Sequence, residues 1–301
     1  MIVKKWWQFW KICRDIDAKN KDGWTALMVA AYNENADTIR KLITACADVN
    51  AKNNEGCSAL MVAASGRSVD IVSALICAHA DVNAKNKDGW TALMFAANKE
   101  SRDSVRQLIA AGADVNEKTE DGGTALMFAA NSGNVDVVKT LIGAGAVVNK
   151  QNKDGWTAII LAATEGSVAC VNALVTAHAD VNAQNKDGWT ALMIAASKRR
   201  VDIVRLLISA GADVNMRNKD GWTALMAAIP TRSDLILEWE ECGQPMVDTL
   251  EDSEDCIREL LAAGADINAK DNDGRSALTF ASGRGSANSV RFLIAAGAQE
   301  S

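Results

Sequence analysis

Histidine and proline each occur twice in 301 residues, tyrosine once and phenylalanine five times, whereas tryptophan occurs nine times. No stretch approaches the ~18 uncharged apolar residues of a membrane-spanning helix, so no span is expected. Basic residues are not in excess: 32 stand against 38 acids, a formal net charge of −6. That excludes the strongly basic surface of a non-specific nucleic-acid binder. The seven cysteines form no CxxC pair and no Cys/His cluster of zinc-site spacing, so neither metal nor cofactor is expected. Unpaired thiols in a chain of this size fit a reducing compartment, the cytoplasm. There is no phosphate loop, no nucleophile elbow and no HExxH, which removes the ordinary routes to catalysis. The compositional poverty of a disordered chain is missing too, because 49% of the residues are hydrophobic. The opening run, Met1 to Lys11, has the charge order of a secretory signal. Its uncharged stretch, Trp6 to Trp10, is shorter than the ~7–15 residues of a signal core. No export signal is therefore expected from it, and an upstream segment is left open.

What the chain does have is a period. An acid followed by glycine recurs at Asp22-Gly23, Glu55-Gly56, Asp88-Gly89, Asp121-Gly122, Asp154-Gly155, Asp187-Gly188, Asp220-Gly221 and Asp273-Gly274. The first seven are 33 residues apart and the last interval is 53, so one repeat carries 20 extra residues. Asp187-Gly188 supplies the positive φ that a tight turn needs. The Ala-rich segment after Thr190 predicts a helix of about two turns with threonine as its N-cap. Ser197-Lys-Arg-Arg200 breaks it, and Val201–Ala210 has the apolar spacing of a second helix. Gly211 stands where a left-handed cap ends that helix. Neither helix buries its apolar stripe alone, so neighbouring units must stack.

A 33-residue turn–helix–helix unit closed by Gly-Ala-Asp-Val-Asn resembles the ankyrin repeat. The resemblance covers residues 20–301 and implies an all-α, right-handed ankyrin-repeat α-solenoid with β-hairpin turns along one edge. It divides the chain into an N-terminal half-repeat capping helix, 1–19, and an eight-repeat domain, 20–301. The 20-residue insertion falls in repeat seven, within 229–254. One departure stands out. The family's Thr-Pro-Leu-His reads Thr-Ala-Leu-Met here (Ser58-Ala-Leu-Met in repeat two), with Thr157-Ala-Ile-Ile160 in repeat five and Ser276-Ala-Leu-Thr279 in repeat eight. The family's threonine–histidine bond cannot form, and methionine is expected to fill the inter-repeat space instead.

Val3–Ile12 falls in register with a second helix, with Trp6, Phe9 and Trp10 facing repeat one. It reads as a cap, or alternatively as a helix lying on a membrane surface. The insertion holds both prolines and eight acids (Asp234, Glu238, Glu240, Glu241, Asp248, Glu251, Asp252 and Glu254) against one base, Arg232. Ser233–Gly243 predicts a short capped helix.

The candidate chemistry is sparse. His79, His178, Cys13 and Cys46 occupy the cap position held elsewhere by glycine, while Cys170 and Cys256 fall on core positions. Arg40, Arg106, Lys139, Arg205, Arg258 and Arg291 recur at one helix position, but an acid three residues earlier answers five of them, predicting a self-neutralised face. The sharper feature is a row of tryptophans after the turn glycines: Trp24, Trp90, Trp156, Trp189 and Trp222, with Cys57, Gly123 and Arg275 in the remaining places. The resemblance places this position on the concave, partner-facing side, and tryptophan is enriched among interface hot spots. The same residues can equally be packing filler. An aromatic cage for a methylated lysine is disfavoured, because rings must lie within ~6 Å of the cation and repeats are spaced wider. The expected function is that of a non-catalytic, monomeric module that binds a protein partner in the concave groove and binds no nucleic acid. The partner-binding candidates are the five tryptophans, Trp239 of the insertion, and Lys198 and Arg199 of the basic turn in repeat six. The alternative is a membrane-surface or host-directed adaptor using the N-terminal Trp-rich helix.

Overall fold

The computed structural model describes residues 16–66, 68–99, 101–229, 248–284 and 286–299, with the backbone alone over 248–252. The expected capping helix at Val3–Ile12 and the expected helix at Ser233–Gly243, with Trp239, lie outside the described residues. Those residues form sixteen helices and no strand, in two compact units, Met1–Lys153 and Asp154–Ser301. The first holds α1 (Ala26–Tyr32), α2 (Ala36–Thr44), α3 (Ala59–Ala64), α4 (Val69–Cys77), α5 (Ala92–Asn98), α6 (Arg102–Ala110), α7 (Ala125–Asn131) and α8 (Val135–Gly143). The second holds α9 (Ala158–Glu165), α10 (Val168–Thr176), α11 (Ala191–Ser197), α12 (Val201–Ser209), α13 (Ala224–Ala227), α14 (Asp248–Ala262), α15 (Ala277–Arg284) and α16 (Ala287–Ala295). Within each unit, first helices pack on first helices and second helices on second, the stacking that an incomplete single repeat requires. No helix among the described residues is long and apolar enough to cross a membrane.

The first helices are short because each is bounded by its own chemistry. Thr190 Oγ1 accepts a hydrogen bond from Met193 N at 3.2 Å, and Thr25, Ser58, Thr91, Thr124 and Thr223 repeat the cap. Thr157 is the exception: its buried hydroxyl has no partner, and nothing in the structure explains the difference. The methionines that replace the family's histidine are buried, from Met28 to Met226, as expected of apolar filler between helix pairs. In repeat eight Thr279 takes that place, is exposed, and its Oγ1 accepts a hydrogen bond from Ser276 N while Ser276 Oγ accepts from Thr279 N, a reciprocal capping box.

The turns join the repeats. Gly188 N donates to Asn185 O and Asn185 N to Trp189 O, closing a tight loop. Isolated antiparallel bridges, Lys52–Ser58 and Lys270–Ser276, mark two of these turns, with no strand. Backbone bonds run from turn to turn: Asn54 N to Asp22 O, Lys87 N to Glu55 O, Glu120 N to Asp88 O and Lys153 N to Asp121 O in the first unit. Lys186 N to Asp154 O, Lys219 N to Asp187 O and Asn272 N to Asp220 O repeat them in the second. Glycine is needed twice over at Gly188: its φ is +83°, and a Cβ there would stand 2.7 Å from Asn218 Cα. The asparagine of Asp-Val-Asn forms a second staple. Asn83 Nδ2 donates to Gly112 O at 3.0 Å and its Oδ1 accepts from Asp114 N at 2.8 Å. Asn215 does the same with Gly264 O and Asp266 N.

Among the described residues, both helices of the repeat that carries the insertion change length. α13 has four residues, and α14 has fifteen where every other second helix has nine, so Asp248–Ser253 extends the second helix at its N-terminus. The charged stripe is neutralised in part as expected: Arg40 pairs with Asp37 at 3.3 Å, Arg205 with Asp202 at 3.8 Å, and Arg258 with Asp255. Asp136, however, is held by Arg102 of the preceding repeat rather than by Lys139. These pairs are largely exposed and contribute little to stability.

Second helices end in left-handed residues. Gly112, Gly145 and Gly211 adopt φ of +87° to +88°, but Cys46, His79 and His178 are held at +64°, +62° and +59°. Left-handed backbone costs a residue with a Cβ ~1–2 kcal/mol, while glycine adds back ~0.5–1 kcal/mol of unfolded-chain entropy. Replacing all three by glycine is therefore expected to stabilise the protein by about 2 kcal/mol in sum, read as a higher urea midpoint at unchanged slope. A lower midpoint would show that the side chains contribute contacts worth more than the strain.

Candidate partner-binding face

The fifth residue of the turns is held by a fixed backbone. Trp24 N, Trp90 N, Trp189 N and Trp222 N each donate to the side-chain oxygen of the asparagine that opens the turn, at 2.7–2.9 Å. Thr119 Oγ1 does this for Gly123 and Asp271 for Arg275. All five tryptophans of the row are half-buried. They pack and face solvent at once, so filler and contact surface are not alternatives.

In the first unit, Trp90 stacks on Phe128 with centroids 4.1 Å apart and planes at 25°, and leans on Phe95 at 5.0 Å. Phe128 reaches this place because its own turn carries Gly123. A Cβ at Gly123 would stand 2.9 Å from Phe128 Cζ. Trp24 meets Tyr32 edge-on at 6.0 Å, and Tyr32 is 71% exposed. In the second unit Trp189 and Trp222 are 6.5 Å apart, and Trp222 lies 4.8 Å from Phe280. Arg284 sits over both of the latter rings, 5.4 Å from Trp222 and 4.9 Å from Phe280, and donates to Ile229 O at 2.6 Å. The expectation that rings of adjacent repeats are too far apart to share a cation is therefore corrected. The rings lean along the stack and close the gap, and the protein's own guanidinium fills the slot.

Phe95, Phe128 and Phe280 were not among the expected residues. Their signal was in the sequence: each lies five residues after the turn position, a column that holds phenylalanine only in repeats three, four and eight. Trp156 holds the same register in its turn. Of the basic turn, Lys198 is exposed and Arg199 half-buried at φ +55°.

Cys46, Cys57 and Cys77 are free thiols, and Cys170 and Cys256 are fully buried, as expected of core residues. Burial pushes the Cys57 thiol above its ordinary range, opposed by the hydrogen bond from Asn86 Nδ2 at 3.7 Å. It is not an activated nucleophile. No group of His, Cys, Asp and Glu among the described residues could hold a metal ion. Asp271, buried where most turns carry asparagine, is raised by burial but lowered further by hydrogen bonds from the Arg275 side chain and from Arg275 N and Asp273 N, and ends below the ordinary carboxylate range.

Compared with known families, the chain matches the model described as ankyrin repeats (3 copies) over 7–86, 42–119, 70–152, 93–185, 127–218 and 159–239. The model described as ankyrin repeats (many copies) matches 250–294. No match was found among curated proteins.

Two outcomes test the packing. Gly123→Trp alone is expected to destabilise by ~1–3 kcal/mol, because the indole has no room beside Phe128. Adding Phe128→Leu, the pairing of Trp156 with Leu161, is expected to restore most of it. If the double variant is no more stable in urea than the single one, the two positions are not coupled. Asp271 supplies the pH test. Its folded value lies below the unfolded one, so its stabilisation is complete above the ordinary carboxylate range and is lost as pH falls below about 4. Asp271→Asn should shrink the loss of urea stability between neutral and acid pH. An unchanged acid limb would exclude Asp271 as its source.

Proposed function

We propose that this chain, which belongs to the ankyrin repeat family, is a non-catalytic adaptor that holds a protein partner in the groove bordered by its tryptophan-bearing turns. Ankyrin repeats are protein–protein interaction modules and are typically non-catalytic. The observation that supports the groove reading is the half-buried aromatic row. Rings pinned by neighbouring rings lose little further entropy on binding, yet each keeps apolar surface to desolvate. The module acts as a monomer in the cytoplasm, as 1–19 cap and 20–301 repeat domain. Trp24, Trp90, Trp156, Trp189 and Trp222 serve as contacts, with Lys198, Arg199 and Trp239 as further ones. The alternative use of the N-terminal helix on a membrane surface rests on residues outside the described ones, and no described observation favours it.

Affinity capture with the full chain, followed by mass spectrometry, supplies the partner. Trp156→Ala, Trp189→Ala and Trp222→Ala together are then expected to weaken its binding by several kcal/mol, the hot-spot range. The melting temperature should fall only modestly. Unaltered binding by the folded fraction would reduce the row to packing.

A further inference from the structure

In the Asp154–Ser301 unit, a cavity of about 350 Å³ opens at the turns between paired helices, away from the tryptophan-bearing turns. Its lining includes Gly166, Val168, Arg199, Arg200, Arg205 and Asp255. The cations are not equivalent. Arg205 is engaged: its Nε donates to Glu259 at 2.9 Å and its Nη1 pairs with Asp202. Asp255 is taken by Arg258. Arg200 is exposed, and its guanidinium has no hydrogen bond or ion pair among the described residues. It lies across Gly166, where a Cβ would stand 2.9 Å from both Arg200 Cζ and Nε. The glycine thus provides a flat floor that any side chain would obstruct. Beside it Val168 remains 42% exposed, an aliphatic wall next to an unpaired cation.

The charge of the lining selects the ligand class. Arg199, Arg200 and Arg205 face Asp202 and Asp255, a surplus of one cation. A phosphate dianion, or a nucleic-acid backbone, would meet two carboxylates in the same cavity. A single carboxylate matches the surplus and suits the planar fork of an arginine. An aliphatic neighbour on the same ligand would cover Val168 and Val201, both in the lining.

We propose that this cavity binds an acidic-aliphatic peptide segment of a protein partner, with an Asp or Glu carboxylate on Arg200 and the adjoining aliphatic side chain on Val168. This site shares Arg199 with the basic turn but is separate from the tryptophan row, so it survives or fails independently of the tryptophan contacts.

The test uses the full chain and a fluorescein-labelled, C-terminally amidated peptide with one carboxylate, Ala-Val-Glu-Leu-Ala, followed by anisotropy at low and at physiological salt. Saturable binding is expected. It should weaken about tenfold or more, ~1.4 kcal/mol, in Arg200→Glu. Arg200→Lys, which keeps the charge but not the fork, should fall between, and Val168→Asp should also weaken it. Binding should be unchanged in Arg106→Glu, an exposed arginine of the other unit, and in Trp189→Ala with Trp222→Ala. Circular dichroism confirms that each variant is folded. Absence of saturable binding overturns the proposal. So does equal loss in Arg106→Glu, which would mean non-specific attraction, and so does displacement by millimolar inorganic phosphate, which would mean a phosphoryl site.

Discussion

The backbone bond from one turn to the next is the constraint on which the rest of each unit depends. A carbonyl of the acidic turn residue accepts from the amide two residues into the following turn, and it can do so only because glycine follows the acid. A Cβ at Gly188 would strike Asn218. The close approach fixes the spacing of adjacent repeats, and that spacing brings Leu, Ala and Met of successive first helices into contact. The Asp-Val-Asn staple acts just past the C-terminal end of the second helices, where the asparagine bonds the carbonyl of the left-handed glycine in the next repeat. Neither bond is worth more than ~0.5–1.5 kcal/mol. Their regular recurrence is what makes a row of short helices, each too short to stand alone, into a folded unit.

The aromatic face is a consequence of that spacing. Side chains at the fifth turn residue of one repeat and on the first helix of the next share one volume, so their sizes are coupled. Trp90 and Phe128 stack because Gly123 leaves the space empty. In the second unit the same geometry gives a Trp222–Phe280 slot, which Arg284 closes while anchoring the carbonyl at Ile229, where the first helix of repeat seven has ended early. Trp24, Trp90, Trp189 and Trp222 thus each lean on a neighbouring ring and keep part of their surface exposed.

Electrostatics plays a smaller part. Exposed i,i+3 pairs on the second helices hold charges in place with little gain. The exceptions are local: Asp271 is buried against Arg275, and Arg200 stays unpaired over a glycine floor.

By itself the sequence determined the repeat, its turn glycines, its threonine caps and the position of the insertion, because each is a local requirement of backbone dihedrals, donors and acceptors. It also determined that Cys46, His79 and His178 would sit in left-handed backbone, since they stand in a glycine column. It could not determine which rings touch. Spacing along the chain gives the distance between backbones, about one repeat, but side chains that lean along the stack shorten it, which is why Trp222, Phe280 and Arg284 meet where repeat spacing forbade it. Nor could it distinguish Arg205 from Arg200. Both are arginines of one turn-and-helix segment, and only the packing of α14 against α12 supplies Glu259 to the first, while the second lies exposed across Gly166.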